Sequence, residues 1–358
     1  MRTLVVSDLH LGAARGLDAL RRPGPLAGLV DAVRGADRLV ILGDALELRH
    51  GPLPDALAAA TPVFAALGAA LGSDAELVLV PGNHDHALLG PWLERRGGAD
   101  GSGPLGLEQR AGPHATDALA RLAAAARPAR FDVAYPGLWL RPGVYAIHGH
   151  YLDRLITVPT FERLAAGAMV RVVGALPEDR ADPDDFEAAL APLYAWMHAV
   201  AQTKHAGWAA SRQSTSARTW QALAAVGPRT LRARAVAAAF PLAVAGMNRA
   251  GLGPVRAQLS GEELRRAGLA AMGEVARLLG GDAAHIIFGH THRAGPLPDD
   301  DPAEWRAPAG AALHNAGCWT QEPIFATGGP ASPYWGGRAL VLGDDGPPRL
   351  ERVVTDLG

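Results

Sequence analysis

Five short apolar runs, spread over the length of this chain, each break off at a small cluster of Asp, Asn, His and Gly, and this pattern constrains the fold most. Residues 3–7 lead into Asp8-Leu9-His10, residues 38–42 into Gly43-Asp44 and residues 76–80 into Gly82-Asn83-His84-Asp85. Further on, residues 144–147 lead into His148, and residues 285–288 into Gly289-His290-Thr291-His292. Short apolar runs of this kind read as buried strands. Helix-like segments at 26–33 and 55–71 separate the first three runs, so the chain reads as an α/β layered protein. Loops at strand ends, converging on one sheet edge, are where such folds place their sites. The glycines in these loops allow tight turns that bring side chains close together.

Further strands are expected at 130–134, 138–140, 313–316, 338–342 and 350–354, and a glycine-rich loop at 97–106. Between about 155 and 280 the pattern turns helical. Asp182-Pro183 is a helix start with proline at its first position, followed by Phe186, Leu190, Leu193, Tyr194 and Met197 at helical spacing. Ser260 and Glu263 form a capping-box pattern ahead of Leu264, Ala271, Val275 and Leu278, and Gly280-Gly281 ends that helix. The expected organisation is one α/β domain, 1–154 and 281–358, interrupted by a helical insertion, 155–280. At 358 residues and 49% hydrophobic, the chain is long enough to bury a sizeable core.

Charge and cysteine use narrow the function classes. The net charge is −2 and Lys204 is the only lysine, so there is no global positive field to hold a nucleic-acid backbone. Cys318 is the single cysteine, which excludes an intrachain disulfide or a cysteine zinc cluster and points to a reducing, cytoplasmic setting. No secretory signal is read ahead of the first strand. The stretch 235–247 is 13 residues long and contains Pro241, too short to span a bilayer. It reads as a buried helix; peripheral contact with a membrane surface, aided by Arg232, Arg234 and Arg249, is the alternative.

Taken singly, Asp-x-His or Gly-Asp carries little information. All five clusters in order, each ending a strand, have no simple structural explanation. Aspartate, asparagine and imidazole without thiolate suit manganese, iron, zinc or cobalt. Two such ions roughly 4 Å apart can activate a bridging water and clamp phosphoryl oxygens during in-line attack.

These five motifs resemble the calcineurin-like metallophosphoesterases over about residues 1–150 and 282–320. The resemblance implies a four-layer sandwich, two mixed β-sheets flanked by helices, with a dinuclear site at the sheet edges. Carried over by motif, Asp8, His10 and His292 would bind one divalent ion, Asn83, His148 and His290 a second, and Asp44 would bridge both, manganese being the ion expected to serve in vitro. His84 would act on the transition state or leaving oxygen, oriented by the carboxylate of Glu47; Asp85 would shape the turn. The expected activity is hydrolysis of a phosphomonoester, phosphodiester or pyrophosphate by a metal-bridging hydroxide. A nuclease, a non-catalytic scaffold and a peripheral-membrane lipid-phosphate or nucleotide-lipid pyrophosphatase are the competing readings.

In wording, Ser7-Asp8-Leu9-His10-Leu11-Gly12, Gly43-Asp44-Ala45-Leu46-Glu47-Leu48, Val80-Pro81-Gly82-Asn83-His84-Asp85 and His314-Asn315-Ala316-Gly317-Cys318-Trp319 are similar to bacterial UDP-diacylglucosamine pyrophosphatases. The chain departs from them at His84, where they carry arginine, and at His148-Gly149-His150, where they carry His-Gly-Asp, so their lipid substrate does not carry over. The helical insertion is expected to cap the metals. Arg15, Arg154 and Arg293, next to motifs, and His150 are the candidates for substrate contact, while His86 and His114 have no assigned role.

Overall fold

A computed structural model describes residues 1–96, 103–203, 231–256, 261–321 and 328–357. The strands are β1 (Thr3–Val6), β2 (Arg38–Leu42), β3 (Glu76–Val80), β4 (Glu108–Arg110), β5 (Arg130–Arg141), β6 (Val144–Ile147), β7 (His285–Phe288), β8 (Ala312–Asn315), β9 (Arg338–Leu342) and β10 (Arg349–Arg352). The helices are α1 (Pro23–Val33), α2 (Leu53–Leu71), α3 (Gly90–Arg96), α4 (Asp117–Ala125), α5 (Phe161–Val173), α6 (Pro183–Ala201), α7 (Leu231–Arg249) and α8 (Gly261–Leu279).

Hydrogen bonds run through the strands in the order β10-β9-β1-β2-β3-β5-β6-β7-β8, with β4 on the side of β5. The neighbours β1, β2, β3 and β5 are parallel, as are β6, β7 and β8; β9, β10 and the β5–β6 pair are antiparallel. Side-chain alternation then divides this one ladder into two packed halves. Leu39 and Ile41 of β2, with Leu77 and Leu79 of β3, face one core beneath α1, α2 and α4. Their neighbours Val40, Leu42, Val78 and Val80 face inward, against Val144 and Ala146 of β6 and Ile287 of β7. The opposite faces of β6 and β7, Tyr145, Ile147, Ile286 and Phe288, meet Phe186 and Leu190 of α6 and Met272 and Val275 of α8. The result is four layers: helices, half-sheet, half-sheet, helices. Strands buried on both faces read as unbroken apolar runs, which is why β1, β2, β3 and β7 stand out in the sequence.

Sequence reading expects two strands where β5 is one. Pro136-Gly137 is a turn signal, but it sits where the strand changes partner: Val133 is its last pairing with β3 and Gly137 its first with β6. The two halves of the sandwich are therefore joined through a shared strand. Helices α3 and α4 and strand β4 are too short or too weakly patterned to be expected from sequence. Ser260 of the expected capping box and most of the glycine-rich loop lie outside the described residues.

Helix α6 starts as its sequence predicts. Asp182 accepts from Asp185 N at 3.1 Å, Asp185 accepts from Asp182 N at 2.9 Å, and Pro183 occupies the first turn. Among the described helices, α2 alone is long and apolar enough to cross a membrane by length and composition. Its Phe64 and Leu67 are fully buried in the first core, which accounts for its apolar character.

Candidate metal centre

Beyond the ends of the strands, the loops stay zipped together. Asp8 N donates to Gly43 O (3.1 Å) and His10 N to Asp44 O (2.8 Å), extending the β1–β2 pairing into the region where the reactive side chains begin. Asn315 Nδ2 donates to Gly289 O and Thr291 Oγ1, both at 2.9 Å, and Trp319 N donates to Asp8 O at 3.0 Å. The Asn315–Trp319 segment thereby fastens the loops after β7 and β1.

These loops are strained. Asp8, His10, Asp44, His290 and His292 have φ between 47° and 64°. They are the non-glycine residues with positive φ among the described residues, and each is an expected metal ligand. Such left-handed conformations cost on the order of 1–3 kcal/mol apiece and persist where surrounding structure holds them for function. The motif glycines make room. A Cβ on Gly43 would lie 2.0 Å from Nδ1 of His148, and one on Gly289 would lie 1.9 Å from Ser7 Oγ.

Three groups of ligand atoms result, Asp8-His10-His292, Asp44-His148-His290 and, between them, His10-Asp44-His84, the atoms of each lying within 4.8 Å of one another; the first two hold the expected ligands. In the first, Asp8 Oδ1 is 3.2 Å from His292 Nε2 and 3.7 Å from His10 Nε2, and the two imidazole nitrogens are 3.1 Å apart. In the second, Asp44 Oδ2 is 3.3 Å from His148 Nε2. One terminal atom of the Asn83 amide lies 3.1 Å from Asp44 Oδ2 and 3.2 Å from both His148 Nε2 and His290 Nδ1. Asp44 Oδ2 is also 3.7 Å from His10 Nε2, so it faces both groups.

The outer nitrogens are tied down. His10 Nδ1 is 3.0 Å from Glu47 Oε2, His148 Nδ1 donates to Leu42 O at 2.9 Å, and His290 Nε2 is 3.0 Å from Asp153 Oδ1. Binding the outer N–H in this way turns each inner lone pair toward the centre, the arrangement that metal-ligating histidines use. Asp8 Oδ2 accepts from Ser7 Oγ (2.6 Å) and His290 N (3.0 Å), whereas Asp8 Oδ1 is buried without a well-formed hydrogen bond among the described residues. Converging lone pairs, an orphaned carboxylate oxygen and an oxygen–nitrogen donor set fit divalent cations.

The electrostatics agree. Burial alone would push the Asp8 and Asp44 carboxyls up, yet neighbouring imidazoles, led by His292 for Asp8 and His148 for Asp44, hold both well below the usual range. Burial would lower His148, but Asp44 and Asp8 raise it to about 9. The pocket therefore attracts positive charge, as protons or as metal.

His84 stands beside this centre. Its backbone N donates to Asp44 Oδ1 at 2.8 Å, its Nδ1 is 2.8 and 2.9 Å from the two oxygens of Glu47, and its side chain is 21% exposed. Burial first, and the Arg49 charge second, push its imidazolium down to about 4 against the pull of Glu47 and Asp44. Asp85 accepts from Gly82 N, Ala45 N and Leu46 N at 2.7, 2.8 and 3.2 Å, shaping the turn.

Two residues in this shell escaped the sequence reading. Arg49 places Nη1 3.3 Å from His84 Nε2 and donates from Nη2 to Asn83 O at 3.1 Å. Asp153 holds His290. Each lies a few residues past a motif, at Glu47-Leu48-Arg49 and His148-Gly-His-Tyr-Leu-Asp153, a weak signal that only the fold converts into contact.

The expected substrate contacts fare unevenly. Arg293 lines the cavity over the centre. Arg154 is buried and donates to Asp185 O and Gly174 O at 2.8 and 2.9 Å, tying α5 to α6. His150 is fully buried, with Nε2 3.3 Å from Tyr135 Oη and its ring against His148. Neither residue reaches the cavity. The side chain of Arg15 is not among those described.

Among curated proteins, none matches the chain. A family model described as calcineurin-like phosphoesterase matches residues 1–214, a span that holds Asp8, His10, Asp44, Asn83, His84 and His148 and more than half of the sequence. With that match and the Asp-His clusters above, this protein belongs to the calcineurin-like phosphoesterases, metal-dependent hydrolases of phosphate esters.

Proposed function

We propose that this chain hydrolyses a phosphate ester or anhydride at a two-ion centre. Asp8, His10 and His292 hold one divalent ion, Asn83, His148 and His290 the other, and Asp44 spans both. The observation that carries this reading is the position of Asp44 Oδ2, 3.3 Å from His148 Nε2 and 3.7 Å from His10 Nε2. One carboxylate oxygen thus joins two otherwise separate ligand groups. When bound, a pair of ions supplies a nucleophile at neutral pH and neutralises charge building on the phosphoryl oxygens.

The protein's own residues supply the rest. Glu47 fixes the His84 ring through Nδ1, which directs Nε2 into the cavity; burial and the Arg49 charge hold that nitrogen unprotonated in the free protein. Once an anionic phosphoryl group has arrived and Nε2 has taken up a proton, it can hydrogen-bond a phosphoryl oxygen or hand that proton to the leaving oxygen. In this reading Arg49, 3.3 Å from that same nitrogen, steadies His84 until substrate arrives.

The test is hydrolysis of p-nitrophenyl phosphate, bis-p-nitrophenyl phosphate and a nucleoside diphosphate ester by chelator-stripped protein with manganese added back. Turnover that returns with two ions per chain supports the proposal. Full turnover with one ion per chain, or none with two bound, overturns it.

A further inference from the structure

The cavity over the metal centre has a volume of about 470 Å³, within the range of small-molecule sites, roughly 300–1,000 Å³. Its floor is the ligand cluster. The walls come from the turn after β6, from α6 and α8 and from the segments around Trp305 and Tyr334, and they are largely apolar: Leu17, Ile156, Met197, Leu269, Trp305 and Tyr334. Among the described residues three arginines also line it, and a polyanion would need them free. Each instead faces an acid. Arg293 forms a two-pronged pair with Asp300 at 2.8 and 2.5 Å, Arg265 pairs with Glu304, and Arg49 lies 3.3 Å from Glu162. Arg293 is further covered by the Trp305 ring, 5.3 Å from its centroid. Trp305 Nε1 and Thr320 Oγ1, both neutral, are buried in the same wall without a partner among the described residues.

We infer that the substrate is a phosphate ester of an apolar, uncharged alcohol: one phosphoryl group at the metals, an apolar body against α6 and α8, and no second charged phosphate. This rests on the proposed reaction but concerns the part of the substrate away from it. To reach one of these described arginines a second phosphate would have to break an ion pair and leave a partly buried acid without its compensating charge. An apolar body displaces water from apolar walls at no such expense.

The experiment is calorimetric titration of manganese-loaded protein with methyl-, butyl- and octylphosphonate, which bind without being hydrolysed, and with ADP. Affinity is expected to rise about fourfold per methylene while the chain stays inside the cavity, and octylphosphonate is expected to bind more tightly than ADP. A gain that ends at butyl marks a compact alcohol, and one that continues to octyl marks a chain; both support the inference. Met197→Glu, on the wall formed by α6, should flatten the series. Equal affinity across the phosphonates, or ADP binding most tightly, overturns the inference. A clear chain-length gain in a protein that hydrolyses none of the matching phosphates overturns the proposed reaction and supports the apolar site.

Discussion

One oxygen of Glu47 lies 2.8 Å from His84 Nδ1 and 3.0 Å from His10 Nδ1, so a single buried carboxylate orients two imidazoles. Burial would raise its pKa, but His84, His50 and His10 hold it well below the usual carboxylate range. Glu47→Gln should therefore weaken both partners at once. Turnover is expected to fall roughly 10–100-fold, with a parallel loss of metal affinity, as when outer partners of metal ligands are removed. Metal content measured beside turnover checks this; a loss of turnover with unchanged metal affinity would mean that the His10 contact is dispensable.

His84 alone should behave differently. His84→Ala is expected to reduce turnover by about 10²–10⁴-fold, the usual contribution of positioned acid–base groups, with both ions still bound. An emptied site in this variant would make His84 a ligand instead.

Asp153 gives a test of the proposed two-ion centre. It touches His290 and no member of the Asp8-His10-His292 group among the contacts described. Asp153→Asn should lower the affinity of one ion by roughly 10–100-fold and spare the other, giving two distinct binding steps in a metal titration where the native protein gives closely spaced ones.

Metal uptake should release protons. With its pKa raised to about 9, His148 carries a proton at neutral pH in the metal-free protein, and a cation must displace it. Metal affinity is thus expected to rise with pH up to about 9 and to level off above it. The sign for stability is the reverse: a raised histidine pKa stabilises the metal-free fold below the unfolded value of about 6.5, and that contribution is lost as pH climbs through 9. Melting of chelated protein, followed from pH 6 to 9.5, should show this decline.

Gly43→Ala tests the close packing of the loops. The added methyl would press on the His148 ring, and the residue would also sit at φ 85°. We expect a folded sheet with a damaged centre: far-ultraviolet dichroism near native, and metal binding largely lost. Native metal affinity in this variant would show that the loop relaxes freely.

Much of the site was legible in the sequence because its residues are local to strand ends. A buried strand needs an unbroken apolar run, and a metal ligand loop needs glycine with Asp, Asn or His at its end; both are patterns of a few consecutive residues. Those rules place Asp8, His10, Asp44, Asn83, His148, His290 and His292 at strand ends, whereas the pairing of Glu47 with His84 was expected only from the family resemblance. The tertiary structure decided what depends on distant partners. It made β5 one strand across Pro136, because that strand has β3 on one stretch and β6 on the next. It turned Arg154 and His150 inward, where backbone carbonyls and the Tyr135 hydroxyl receive them, and brought Arg49 and Asp153 to the centre. It also paired the cavity's described arginines, Arg49, Arg293 and Arg265, with Glu162, Asp300 and Glu304. A residue's type states what it can bind; its neighbours in space, set by packing of segments far apart in the chain, 282 positions for Asp8 and His290, determine what it does bind.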